Sequence, residues 1–286
     1  MNARLFLCGP IAHRIRRVDG TDRPAYGRTT IGEASMLGWK LFVRALTLIT
    51  ENLLPAIRVS LVPYGLAMAA GLWVALTYPE WVGQQLDPEN PPPAGFILGT
   101  MASLIIGVFA SLWVSVGWHR YALLGEVSDG WVPPLRMDLL LSYFGRTLLA
   151  FLMAALAAIT VATMLAVLLV PLFQESVAAV PAAGGFFAAC LVFYRVGVIL
   201  PAGAAGKPMR MNDALIATKG QAQTIIVLAL LTVGVTFLLR LPILLEDANV
   251  VISTLYQFVT GWIGLMLGVG TLTALYGHLV EGRPVE

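Results

Sequence analysis

The densest group of polar and aromatic side chains in this sequence lies at residues 118–126, in the run WHRYALLGE. Histidine and glutamate serve as general base and general acid, so His119 and Glu126 are candidates for proton transfer. They are well separated in sequence, and no nucleophile motif or metal-ligand set lies nearby. The favoured interpretation is structural: Trp118 and Tyr121 lie at headgroup depth while Arg120 faces anionic phosphates.

Other local signatures of catalysis are missing. The chain has three histidines and two cysteines, and it contains no HExxH, CxxC, GxSxG or phosphate-loop pattern. The sequence therefore indicates no catalytic residue, no metal site and no cofactor. An enzyme that acts on lipid headgroups, with His119, Arg120 and Glu126 brought together, ranks third among the functions considered.

Arg195 is the arginine that the hydropathy pattern places deepest in an apolar segment. A buried guanidinium needs a polar partner, a lipid phosphate or a water-filled recess, and we expect lipid contact more than substrate binding. Arg58 and Arg240 lie near the ends of apolar segments, where long side chains reach the headgroups. Arg195 therefore joins residues 118–126 in a candidate polar or lipid-contact cluster.

Small residues recur at helical spacing in two apolar segments. In the second segment the stripe consists of Gly99, Ser103, Gly107, Ser111 and Ser115. In the sixth, Gly264 and Gly268 form a Gly-x-x-x-Gly pair. Small side chains allow membrane helices to approach closely, so we predict helix packing, within the bundle or between subunits, in preference to a polar permeation path.

The elements that carry these residues follow from composition. Of 286 residues, 58% are hydrophobic and 12% charged, and the net charge of +2 is too small to indicate nucleic-acid binding. A bilayer core requires about 20 apolar residues per helix. Segments that meet this requirement lie at 53–76, 96–118, 147–172, 181–202, 223–244 and 250–275. The sequence predicts an all-α bundle with six transmembrane helices, in which segments 147–202 and 223–275 form tight hairpins.

The positive charges predict an orientation. Lysine and arginine are retained beside the cytoplasmic ends of membrane helices. With both termini in the cytoplasm, only Arg240 of the 18 basic residues lies outside. We therefore expect a bacterial inner-membrane protein with a basic cytoplasmic tail at 1–29 and one membrane domain at 30–286. Anionic lipid headgroups on the cytoplasmic side are the expected partners.

A further helix precedes the first span. Thr30 is a suitable N-cap, and Lys40 and Arg44 share one helix face while apolar residues such as Leu41 share another. This pattern predicts either a helix in the membrane interface, with Trp39 near the headgroups, or a cytoplasmic helix packed on the bundle.

The sequence also suggests an internal repeat. The run from Pro134 resembles the run from Pro208, and the ends YALLGE (121–126) and YGHLVE (276–281) resemble each other. The matched positions are Arg136 with Arg210, Asp138 with Asp213, and Gly145 with Gly220. We predict three units, each a short interfacial helix followed by a hairpin, with chance similarity as the alternative.

Through the run at 118–126 and the helix after Pro208, the chain resembles six-span bacterial inner-membrane proteins of uncharacterised activity. It is also loosely similar to the membrane portion attached to some glycerophosphodiester phosphodiesterases. The chain carries no recognisable phosphodiesterase domain or its metal-binding acids, so the resemblance does not imply that activity.

The first functional hypothesis is a non-catalytic protein that organises the membrane or acts as an accessory subunit, with a protein partner or a second copy of itself. The alternative is a transporter of a small solute or lipid, although the six spans contain no acidic residue of the kind common in ion-coupled transport.

Overall fold

A computed structural model describes residues 31–84, 89–128, 130–173, 179–241 and 250–285. These residues form helices and contain no β-strand, which confirms the predicted all-α bundle. The helices are α1 Ile31–Thr50, α2 Leu53–Thr77, α3 Ala94–Leu124, α4 Met137–Phe173, α5 Ala179–Val196, α6 Ile199–Ala204, α7 Met211–Ala217, α8 Ala222–Arg240 and α9 Val250–Leu279. The predicted tail at 1–29 lies outside the described residues.

Among the residues that the structure describes, six segments are long and apolar enough to cross a membrane, as predicted. They are Leu53–Thr77, Ala94–Leu124, Met137–Phe173, Ala179–Ala204, Ala222–Arg240 and Val251–Leu279. The third begins ten positions earlier than the expected residue 147, since no proline or turn separates Met137 from the apolar run. The second and sixth extend past residues 118 and 275 to Leu124 and Leu279.

Of the two expected tight hairpins, one is present. Helices α4 and α5 contact each other along much of their lengths, as do α2 and α3. Helices α8 and α9 contact each other little, because α1 packs against both of them. A side chain at Gly38 would collide with the Thr224 carbonyl of α8, and one at Gly270 would contact the Ala45 carbonyl of α1.

Helix α1 therefore packs on the bundle through one face, and its predicted position in or outside the membrane interface stays a prediction. Leu41 and Ala45 are fully buried on the face that meets α8 and α9, while Trp39 and Lys40 are exposed. The Thr224 hydroxyl donates a hydrogen bond to the Ala34 carbonyl and so ties α1 to the first turn of α8.

The two runs matched as a repeat are alike only where their helices begin. The carbonyl oxygens of Arg136 and Arg210 each accept the first helical N–H bond, and an acid follows in the first turn of each helix. Negative charge at a helix N-terminus is favourable. Beyond this turn the runs differ: Gly145 lies inside the continuous helix α4, whereas Gly220 lies in a turn after α7 with φ +81°.

The two ends of the bundle differ in charge and packing. The basic end is where α3 and α9 finish and α4 and α8 begin; it carries every described lysine and arginine except Arg240. The buried residues of α3 begin at Ala110, those of α9 at Met266, and those of α4 end at Ala154. The hydrophobic core thus fills the basic half, and these helices separate towards the opposite end.

Candidate functional site

A cavity of about 860 Å³ lies where the helices separate. This volume falls within the range of binding sites for small molecules. The wall is largely apolar, and it is built mainly by α2, α3, α4 and α9. Lining residues include Tyr64, Gly71, Phe96, Ser103, Gly107, Ser111, Ser115, Tyr143, Thr147, Phe258, Gly264, Gly268 and Leu272. We refer to this space as the main cavity.

Six of the seven residues in the two predicted small-residue stripes line the main cavity, and Gly99 is the exception. A Cβ atom built on Gly107, Gly264 or Gly268 meets no other atom within 4 Å. Packing within the bundle is therefore not found at these three glycines, and packing between subunits stays a prediction. Packing within the bundle is found at Gly99, where a Cβ atom would lie 3.0 Å from the Trp73 ring of α2.

The serines in the stripe do not make the wall strongly polar. The Ser111 hydroxyl donates to the Gly107 carbonyl over 2.8 Å, and the Ser115 hydroxyl donates to the Ser111 carbonyl over 2.7 Å. A serine that bonds to its own helix has used its donor proton. Ser111 and Ser115 are thus poorly suited to carry water or ions along α3, whereas the Ser103 hydroxyl, also in the lining, is buried and has no hydrogen-bond partner among the described residues.

His119 lies below the main cavity, towards the basic end, and it joins three helices. Its Nδ1 lies 2.8 Å from the Thr273 hydroxyl of α9, and its Nε2 lies 3.1 Å from the Tyr143 hydroxyl of α4. Thr273 donates its proton to the Val269 carbonyl. The Thr273 oxygen therefore accepts from Nδ1–H, and in the neutral ring Nε2 accepts from Tyr143. His119 is fully buried.

The candidate acid–base pair of His119 and Glu126 is not formed. The bonds of His119 reach Tyr143 and Thr273, whereas the Glu126 carboxylate binds Arg120 and Arg136. The two side chains therefore belong to separate networks. This separation arises because Glu126 follows the helix end at Gly125, which adopts the left-handed conformation with φ +68°.

Trp118 is not an anchor in the headgroup region. Its side chain is fully buried in a cluster with Val59, Val114 and Met266, so it is not available to lipid. Tyr121 lies beside it, with ring centroids 5.5 Å apart, and donates a hydrogen bond of 2.7 Å to the Asn52 side chain. The headgroup interpretation is therefore wrong for Trp118, because α1, α2 and α9 cover the end of α3.

The charged residues at the basic end form two linked clusters. Arg120 binds Glu126 at 2.5 Å and also donates to the Ala204 carbonyl at the end of α6. Glu281 binds Lys207 at 3.3 Å and Arg283 at 2.7 Å. We call these residues, with Arg136, the charged ring.

The charged ring ties together three helix C-termini. Arg283 follows α9, and its guanidinium donates to the Leu123 carbonyl over 2.8 Å at the end of α3. Arg120 reaches the end of α6, and Lys207 just after α6 returns to Glu281. Cations are favourable at the negative ends of helices. Among the predicted site residues, only Arg120 and Glu126 belong to this ring. The likeness between YALLGE and YGHLVE was the signal that pointed to Glu281.

Arg195 does not join this network. Its side chain is exposed in the last turn of α5, and its carbonyl oxygen accepts a weak bond from the Thr218 hydroxyl. Arg195 is therefore separate from the polar residues at 118–126, and its predicted contact with lipid stays a prediction. The fourth span continues through α6 to Ala204, so Arg195 lies nine residues before the end of that span, at the break between α5 and α6.

Within the described residues, no group of three or more histidine, cysteine, aspartate or glutamate side chains is arranged to hold a metal ion. The main cavity and the charged ring are thus the two features that bear on function. Comparisons of the chain with protein-family models, curated proteins and solved structures gave no match.

Proposed function

We propose that this protein is a non-catalytic membrane protein that holds a lipid acyl chain in the main cavity and thereby organises lipid around the bundle. The single observation that carries this proposal is the main cavity itself, with an apolar wall and three glycines facing open space. The separation of His119 from Glu126 argues against an enzyme that uses them as an acid–base pair.

An acyl chain is the occupant that fits this wall. An empty apolar void forfeits the dispersion contacts of its lining atoms, and an acyl chain restores them. Leu104 and Val108 line the main cavity and are also exposed on the surface of α3. A chain from the surrounding bilayer therefore has a lateral way in. Moving an acyl chain from the bilayer into the main cavity gains no hydrophobic free energy, because both surroundings are apolar. The affinity therefore depends on how well the shape of the chain fits the cavity.

Filling the main cavity tests the proposal. We expect Gly107→Leu and Gly268→Leu to place a side chain in the open space without a backbone clash, and to remove most of the lipid that survives purification. Gly234→Leu is the matched control, because Gly234 is exposed, has open space around it and lies outside the lining. Native mass spectrometry of detergent-purified protein counts the retained lipids. The proposal would be contradicted if the wild type and the three variants retain the same number of lipids, or if the wild type retains none.

A second candidate function is movement of lipid between leaflets. The lining residues of α3 extend from Phe96 to Ser115, which corresponds to a rise of about 29 Å. The hydrocarbon core is about 30 Å thick. The test uses liposomes that contain the protein and a fluorescent phospholipid, with dithionite added outside to quench the fluorophores of the outer leaflet. Loss of more than half of the fluorescence would indicate movement between leaflets. Loss of only half, as in liposomes without protein, would exclude it.

The location and orientation belong to the same proposal. We place the protein in a bacterial inner membrane with the basic end in the cytoplasm, because positive charge is retained on that side. Anionic headgroups then face the exposed cations at this end, such as Lys40 and Arg195. The resemblance to membrane portions of phosphodiesterases stays a prediction.

A further inference from the structure

A second cavity, of about 350 Å³, lies between α8 and α9 towards the opposite end of the bundle. Its lining includes Arg240, Gln257, Thr260 and Thr236, so it is more polar than the main cavity. Gly264 and Gln257 line both spaces. The two cavities are therefore neighbours, with a glycine between them that carries no side chain to separate them. We call the second space the Arg240 pocket.

Arg240 differs from the other described cations. Among the described residues, every other lysine and arginine lies at the basic end, and no described carboxylate forms an ion pair with Arg240. Its side chain is exposed in the last turn of α8, at the end of a 19-residue span. At the end of a span that crosses the hydrocarbon core, a side chain is expected at the depth of the lipid phosphates.

The neighbours of Arg240 supply hydrogen-bonding groups of the right kind. Gln257 is exposed on α9, and its amide carries two N–H donors. Thr260 already donates to the Tyr256 carbonyl, so the donors available to an anion here include those of Gln257 and Arg240. A guanidinium beside an amide donor is suited to a phosphate, since arginine binds phosphate oxygens through two parallel N–H bonds.

We propose that the Arg240 pocket binds the phosphate of an anionic phospholipid whose acyl chain passes Gly264 into the main cavity. The charge favours an anionic headgroup, and the shared lining places the polar and apolar parts of one amphiphile in adjacent spaces. This proposal rests on the proposed function, because it assumes that an acyl chain occupies the main cavity. It further specifies an anionic headgroup, and it places that headgroup in the leaflet at the end of the bundle opposite the basic end.

The test is lipid preference in nanodiscs made of equimolar phosphatidylglycerol and phosphatidylcholine. Protein released from them into detergent should retain phosphatidylglycerol over phosphatidylcholine, as counted by native mass spectrometry. Arg240→Gln should reduce this preference about tenfold, as expected for loss of one charge-assisted contact. Gln257→Leu should reduce it less while leaving the charge unchanged.

Arg58→Gln is the matched control, with the same loss of charge at the basic end. Arg58 lies 5.7 Å from the centre of the Trp131 ring and does not line the Arg240 pocket. It should keep the wild-type preference. An equal loss of preference in Arg58→Gln, or an unchanged preference in Arg240→Gln, would overturn the headgroup assignment.

The outcomes distinguish the headgroup proposal from the acyl-chain proposal on which it rests. If the wild type retains both lipids equally, the headgroup assignment fails while the acyl-chain proposal stands. If it retains neither, both fail. Added glycerol phosphate provides a third arm: it should not displace bound phosphatidylglycerol, and displacement at millimolar concentration would show that the pocket prefers a free phosphate.

Discussion

His119 illustrates how one buried polar side chain connects several helices of a bundle. Both ring nitrogens have hydroxyl partners, on α4 and α9, and the ring is fully buried. A buried polar group that lacks a partner destabilises the folded state, so a histidine at this position is useful only while Tyr143 and Thr273 are present. Its role is to connect three helices where the main cavity ends.

Removing these bonds should lower stability without removing lipid. We expect His119→Phe to reduce the free energy of unfolding by about 1–2 kcal/mol, since two interhelical bonds of modest strength are lost. Tyr143→Phe, which loses one of them, should cost about half as much. Unfolding by a denaturing detergent, followed by circular dichroism, measures both. A His119→Phe protein as stable as the wild type would contradict this role.

The sequence indicated that residues 118–126 matter, but it did not indicate their separate roles. Trp118, His119, Arg120 and Tyr121 are consecutive on one helix, so they point in different directions and meet different neighbours. Their partners Asn52, Tyr143 and Thr273 lie far away in the sequence. Local pattern contains no information about such pairs, and the headgroup interpretation failed for that reason.

At the scale of the helix, hydropathy predicted the number of spans because the thickness of a bilayer sets their length. It could not predict which helices touch. The position of α1 between α8 and α9 depends on the fit of Gly38 against Thr224 and Val227, which are close in space only after folding. Likewise, the same small-residue spacing is compatible with a tight contact at Gly99 and with an open wall at Gly107.

The two glycines matched as a repeat provide a test of helix continuity. Gly145 lies within α4, is exposed and has open space around it, so Gly145→Ala should stabilise the protein by about 0.5–1 kcal/mol. Gly220 has φ +81°, so Gly220→Ala should destabilise it by about 1–2 kcal/mol. Denaturant titration of both variants measures the two changes. If both variants shift stability in the same direction, the two positions are structurally alike and α4 does not begin at Met137.

At the scale of the whole molecule, charge and packing change together along the bundle. The basic end carries the charged ring and the compact core, and the opposite end carries the main cavity and the Arg240 pocket. The ion pair between Lys207 and Glu281 places the segments after the fourth and sixth spans at one end, as the predicted topology requires. A rigid end joined to a more open end is suited to a protein that admits lipid from one leaflet.

Cysteine labelling tests which end of the bundle faces the cytoplasm. In a background with Cys8→Ser and Cys190→Ala, we expect an impermeant maleimide to label Gln84→Cys in intact spheroplasts. Lys219→Cys and Val285→Cys should react only after permeabilisation, because both lie at the basic end. These three residues avoid the charged ring. Labelling of Lys219→Cys without permeabilisation would invert the orientation, and opposite results for Lys219→Cys and Val285→Cys would exclude six spans.

The central claim is that the glycine-lined space is occupied by lipid, and a cryo-electron microscopy structure in lipid nanodiscs tests it most directly. The account predicts elongated density beside Gly107 and Gly268, continuous with a headgroup next to Arg240. Helices α3 and α9 packed directly against each other at these glycines, or a space that contains only water, would contradict it.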